Sequence, residues 1–146
     1  MHRSWPKVRA VDAEAAITFA GVLHGKEIYA PGVSYAGPVE DDTDAYRQGR
    51  FALNFQRTTG GIKLKTLTSL AAGRTLISTE HGIEGVPIRS GEHYWDMKTF
   101  LSNRLRDVLA DTANLQRMAD TGRAWVEAHH SRKAVATQFM SLLQAV

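Results

Sequence analysis

Apolar residues along this chain fall first into short blocks that end at glycine and later into longer stretches with helical spacing. "AITFAG" (16–21) and "GVSYAG" (32–37) are compact runs, the second β-branched and aromatic, and each stops at a Gly turn as a buried strand does. "DTDAYRQG", after Pro38 and a group of aspartates, predicts a short helix closed by Gly49. "FALNF" (51–55) predicts a third strand and "TLIST" (75–79) a fourth. Between them "GIKLKTLTSLAAG" predicts a helix that begins near Ile62, stops at Gly73 and buries Leu64, Leu67, Leu70 and Ala71. From Lys98 onward the pattern is helical only: "KTFLSNRLRDVLAD", "TANLQRMADTGRAWVEAHH" and "SRKAVATQFMSLLQAV", with Asp111–Thr112 and Ser131 as expected N-caps.

Short connections with helices between strands favour right-handed crossovers. The expected fold is therefore α/β: a Rossmann-like parallel sheet flanked by helices, with a C-terminal helical segment. A length of 146 residues suits one domain over 1–146. With 43% apolar and 23% charged residues the chain is ordinary for a globular protein. The absence of cysteine excludes disulfides and thiolate metal sites, and the simplest expected location is cytoplasmic. No apolar run approaches the roughly 20 residues of a spanning helix, and "MHRSWPKVRA" lacks the apolar middle of a signal peptide, so no membrane span is expected. A net charge of +3, carried by scattered lysines and arginines, points to a small anion rather than to nucleic acid.

Ligands of such sheets bind beyond the carboxyl ends of the strands, where three loops are unusual: the one after "VSYAG", then "QRTTGG", then "EHGIEG". In the second, Gly60 and Gly61 permit close backbone approach, and the helix beginning near Ile62 aims its free N–H groups and positive dipole end at the turn. Lys63 in a first turn opposes the dipole by about 0.3–1 kcal/mol unless an anion is present. Lys65 and Thr68, three apart, bring an ammonium and a hydroxyl to one side. The competing reading is a plain glycine turn with solvated lysines. No G-x-x-x-x-G-K-[ST] and no G-x-G-x-x-G occurs.

The run from "VSYAGP" through "QRTTGGIKLKTLTSLAAGRTLISTEHGIEGV" resembles the nucleotide-binding C-terminal half of GT-B glycosyltransferases of the group 1, family 4-like branch. That branch writes G-x-K-x-K-x-L-E-x-x-A-x-G, a strand, and T-x-x-G-x-E-G. Gly61, Lys63, Lys65, Leu67, Ala71 and Gly73 match, as do Thr79, Gly82, Glu84 and Gly85. The resemblance spans about residues 16–130 and implies a nucleotide-sugar donor site. It assigns the base to the backbone around Gly37, Pro38 and Val39 and the diphosphate to Gly60, Gly61, Ile62, Lys63 and Lys65. Thr68 falls at the ribose, and His81, Gly82 and Glu84 in a loop beside the donor sugar. It assigns no catalytic residue. Thr68 stands where the family carries the glutamate that grips the ribose hydroxyls, and Gly60 where related branches carry a glutamate facing the sugar.

By the same likeness the chain lacks the first strand of the donor half and the N-terminal acceptor domain. The implied function is hexose transfer from a UDP- or GDP-sugar to a polysaccharide or glycolipid acceptor, active when an acceptor domain or partner chain completes the cleft. The alternatives are a non-catalytic nucleotide-binding or scaffolding module, and a truncated fragment that self-associates as a homo-oligomer. The implied location is cytoplasmic or, through a partner, peripheral to the inner face of the membrane. The nucleotide sugar is a substrate, and no cofactor and no metal is expected: His24, His81 and His93 lie in separate segments, and His129–His130 suit a helix end. Asp41, Asp42 and Asp44 read as a helix start, and Trp5, Trp95 and Trp125 as packing residues.

Overall fold

The computed structural model describes residues 4–22, 29–58, 60–102 and 105–144. His24 and positions 103–104 of the helix expected from Lys98 lie outside the described residues. The first half runs α1 (Trp5–Val11), β1 (Ile17–Ala20), β2 (Val33–Gly37), α2 (Asp42–Arg47), β3 (Phe51–Asn54), α3 (Leu64–Ala71) and β4 (Thr75–Ser78). The second half runs α4 (Glu80–Ile83), β5 (Tyr94–Asp96), α5 (Met97–Phe100), α6 (Leu105–Ala110), α7 (Thr112–His130) and α8 (Arg132–Gln144). All four expected strands form, and every strand pairing is parallel.

The strands make two ladders rather than one sheet, β1 with β2 and the order β3-β4-β5. Central β4 is buried along its whole length, as an inner strand of a parallel sheet is. Its side chains alternate between faces, and so the core divides. Leu76 joins Ala52, Leu70, Ile88, Tyr94 and Val126 on one face. Ile77 joins Phe100, Leu105, Val108 and Leu115 on the other. Helices thus cover both faces of the larger ladder, α3 and part of α7 on the first, α5 and α6 on the second.

The caps follow the sequence. Asp41 accepts from the Thr43 N–H at 2.6 Å and starts α2. That backbone bond holds its carboxyl below the usual range. A depressed carboxyl stabilises above its unfolded pKa, so this cap is lost as pH falls through the lowered folded value. Asp111 caps α7 through the Asn114 N–H at 3.1 Å, and the Ser131 hydroxyl accepts from the Ala134 N–H at 3.1 Å. His129 and His130 do end α7, where the His129 ring stacks on Trp125 with centroids 4.7 Å apart. Trp95 packs on the second cluster, and the Trp5 indole N–H donates to Pro31 O at 2.9 Å.

Two expectations are corrected. The helix expected over "KTFLSNRLRDVLAD" is two short ones, α5 and α6, the first capped by Asp96 through the Lys98 and Thr99 N–H groups. The face α3 buries is Thr66, Ser69 and Leu70, with Leu67 half-buried, while Leu64 is 64% exposed and Ala71 is exposed. Two hydroxyls turn inward because both are satisfied there: Thr66 Oγ1 donates to Gly82 O at 2.7 Å and Ser69 Oγ to Thr66 O at 2.8 Å. The helix also begins at Leu64 rather than near Ile62, which leaves Leu64 in its open first turn.

Candidate nucleotide-binding site

Parallel pairing puts the carboxyl ends of β3 and β4 at one edge of their ladder, so the loops after them are neighbours. Buried Asn54, the last residue of β3, joins them. Its Nδ2 donates to Thr66 Oγ1 at 3.1 Å and to Gly82 O at 3.3 Å, and its carbonyl accepts from the Thr79 N–H at 3.2 Å. Thr79 closes the other side: its hydroxyl donates to Gln56 O at 2.6 Å and accepts from the Gly82 N–H at 3.2 Å, capping α4. The region "EHGIEG", read as a loop, is therefore a short helix fastened to the start of α3. Every polar group of this knot has a partner, which makes it a rigid support. Thr79→Val keeps the shape and removes both hydroxyl bonds. We expect a loss of about 1–2 kcal/mol, read as a lower urea midpoint with an unchanged slope.

Above the knot lies the turn that begins α3. Gly60 and Gly61 have φ of +131° and +68°, backbone that side chains with a Cβ rarely adopt, and an added Cβ at either meets only open space. The glycines thus shape the turn and leave the space in front of it clear. Lys63 is the N-cap residue of α3 and is buried, at 6% exposure. Its Nζ donates to Gly60 O at 3.3 Å. Among the described residues no carboxylate lies in ion-pair range of it. One of the three ammonium donors goes to this carbonyl, and two remain for another acceptor. The alternative of two solvated lysines is thereby corrected for Lys63, whereas Lys65 is exposed.

Ile62 is 81% exposed at the lip of the turn, and Thr68 is half-buried one helical turn further on. His81 and Glu84 are exposed at the ends of α4, while Gly82 is buried in the knot and faces Asn54 and Ser78 rather than open space. The nearby Glu80 carboxylate is paired with Lys98 at 3.2 Å, an exposed contact of small energetic weight. Gly37 ends β2, in the other ladder, where its carbonyl accepts from the Gly21 N–H at 2.7 Å, and Pro38 and Val39 follow it in the loop. The structure thus joins the 60–65 turn to the 79–84 segment directly, and no described hydrogen bond ties residues 37–39 to either. Asn54 and Thr66 escaped the sequence reading because a polar residue ending a strand or inside a helix carries no signal of its own. Among the described residues no three His, Asp or Glu side chains gather as a metal group would.

Parallel ladders flanked by helices match the fold of one half of a GT-B glycosyltransferase. A sequence profile of the glycosyl transferase-like family matches residues 5–141, and the chain belongs to that family. The crystal structure of Anabaena Alr3699/HepE in complex with UDP superposes with a TM-score of 0.79 at 11% identity, over 100% of this chain and 45% of that one. The same protein in complex with UDP and glucose gives 0.77 at 12% identity over the same shares. The C-terminal domain of a group 1 family glycosyl transferase (LpcC) from Francisella tularensis gives 0.56 at 16% identity, over 69% of this chain and 55% of that one. This chain therefore spans less than half the length of the HepE chains it matches. No curated protein sequence matches it. No helix among the described residues is long and apolar enough to cross a membrane.

Proposed function

We propose that this chain is the donor-binding half of a glycosyltransferase, holding the nucleoside diphosphate of a UDP- or GDP-sugar at the turn that opens α3. The observation that carries the reading is Lys63, a residue 6% exposed whose ammonium meets the Gly60 carbonyl and, among the described residues, no carboxylate. The family and the UDP-bound likeness of HepE support it. The diphosphate accepts from Lys63, from the free N–H groups of the first turn of α3 and from Lys65, with the base near Gly37–Val39, the ribose near Thr68 and the sugar beside His81–Glu84. During transfer the charge that grows on the leaving nucleoside diphosphate is met by donors already in place. The acceptor is positioned by a second domain or partner chain, which this half needs for turnover. The hexose goes to a polysaccharide or glycolipid acceptor, and the working location is the cytoplasm or the inner face of the membrane through that partner.

A second reading, a nucleotide-binding module without turnover, is favoured by Thr68. A threonine hydroxyl makes fewer and weaker bonds to a ribose than a carboxylate does. A thermal-shift series with UDP, GDP and ADP tests the shared core of both readings. One diphosphate is expected to raise the melting temperature, the rise growing with the logarithm of its concentration above Kd, and no rise with any of them sinks both. Lys65→Ala is expected to weaken that diphosphate about two- to fivefold at low salt and less at high salt, because an exposed ammonium is screened. Titration at two ionic strengths measures it.

A further inference from the structure

α8 buries none of its residues, although several of them are large and apolar. Val135, Phe139, Met140, Leu142 and Leu143 are each more than half exposed. At 3.6 residues per turn they share an arc of about 160°. Thr137, Gln138, Ser141 and Gln144 take the opposite side, so the polar face is neutral. A continuous apolar face left in water marks a contact surface.

Charge says which surface it fits. The helix opens with Arg132 and Lys133 and carries no carboxylate. Among the described residues neither cation is in ion-pair range of an acid, and Glu127, the carboxylate that precedes them in sequence, is held by Arg123 at 2.8 Å. Arg132 stands on the apolar side of the first turn, where with His130, Val135, Ala136 and Phe139 it lines an open concavity of about 460 Å³. A cation at the end of an apolar strip can meet an acidic headgroup while the strip enters the acyl chains. Both cations also stand at a helix N-terminus, where the dipole opposes them unless an anion is near.

We propose that α8 lies flat on an anionic phospholipid surface, with Phe139 and Leu142 in the acyl boundary and Arg132 and Lys133 at the headgroup phosphates. A helix of 13 residues is about 20 Å long, too short to span a bilayer and long enough to lie in its interface. A second copy is the poorer occupant, because its α8 brings the same cations and no carboxylate to meet them. Membrane contact is then a property of this chain itself, whether or not it binds a nucleotide.

Flotation of the whole chain with lipid vesicles tests this, without nucleotide, so that the outcome is separate from that of the donor site. Vesicles of phosphatidylcholine with about 30% phosphatidylglycerol are expected to bind the chain at least about tenfold more tightly than phosphatidylcholine alone, and added salt to narrow the difference. Arg132→Gln with Lys133→Gln is expected to weaken binding about tenfold on the anionic vesicles only. Phe139→Glu with Leu142→Glu is expected to abolish flotation and to keep the melting temperature of the parent, because both side chains are already exposed. The proposal is overturned if the parent does not float with anionic vesicles, if either double variant floats as well as the parent, or if sedimentation shows a dimer that the glutamate variant dissolves. A glutamate variant that melts lower than the parent overturns it too, since the face is then covered within the chain.

Discussion

Lys63→Met is expected to weaken binding of the nucleoside diphosphate between about tenfold and a hundredfold while leaving the melting temperature of the free chain unchanged or higher. The two effects have opposite origins. A hydrogen bond from a buried ammonium to a phosphate is worth about 1.5–3 kcal/mol, which is that range of affinity. In the free chain Lys63 is 6% exposed and its ammonium meets one carbonyl and, among the described residues, no carboxylate, so an apolar side chain of similar shape there breaks no ion pair. Methionine keeps the unbranched stem and removes the charge. Calorimetric titration and melting of both chains measure the pair, and a variant that binds as well as the parent removes Lys63 from the site.

Gly82→Ala is expected to destabilise the chain by about 3 kcal/mol and to lower its melting temperature by about 10 °C. Gly82 sits where α4 meets β3. A Cβ there collides with Ser78 Oγ and comes within 3.0 Å of Asn54 Cγ and Nδ2. Relief requires Asn54 to move, which breaks its bonds to Thr66 and to Gly82 O inside a buried network. Each buried polar group left without a partner costs about 1–3 kcal/mol. Because the network fastens α3 to α4, diphosphate affinity should fall as well, even at temperatures where the variant is folded. A variant as stable as the parent contradicts the close packing at this corner.

The strands of this chain were legible because each of the four expected ones is an apolar block closed by a glycine or a loop. β5 was not, since three residues, Tyr94–Asp96, carry no periodicity. α1, longer than the predicted α2, was missed because none of its residues is buried and no apolar stripe marks it. The face of α3 was misjudged because hydrophobicity counts Leu64 and Ala71 as buried, whereas Thr66 and Ser69 enter the core through partners, one of them Gly82, that lie far off in the sequence or inside the helix backbone. The glycine turn and its lysines were visible as a pattern, but only the fold separates Lys63, enclosed, from Lys65, in water. The division into two ladders was invisible too, since strand order is a property of crossovers rather than of any one segment.

The central claim rests on a single affinity. Calorimetric titration of the folded chain with UDP, its folding confirmed by slow exchange of the β4 amides, should give saturable binding that Lys63→Met loses. A folded chain that takes up no UDP, GDP or ADP at millimolar concentration contradicts the donor site.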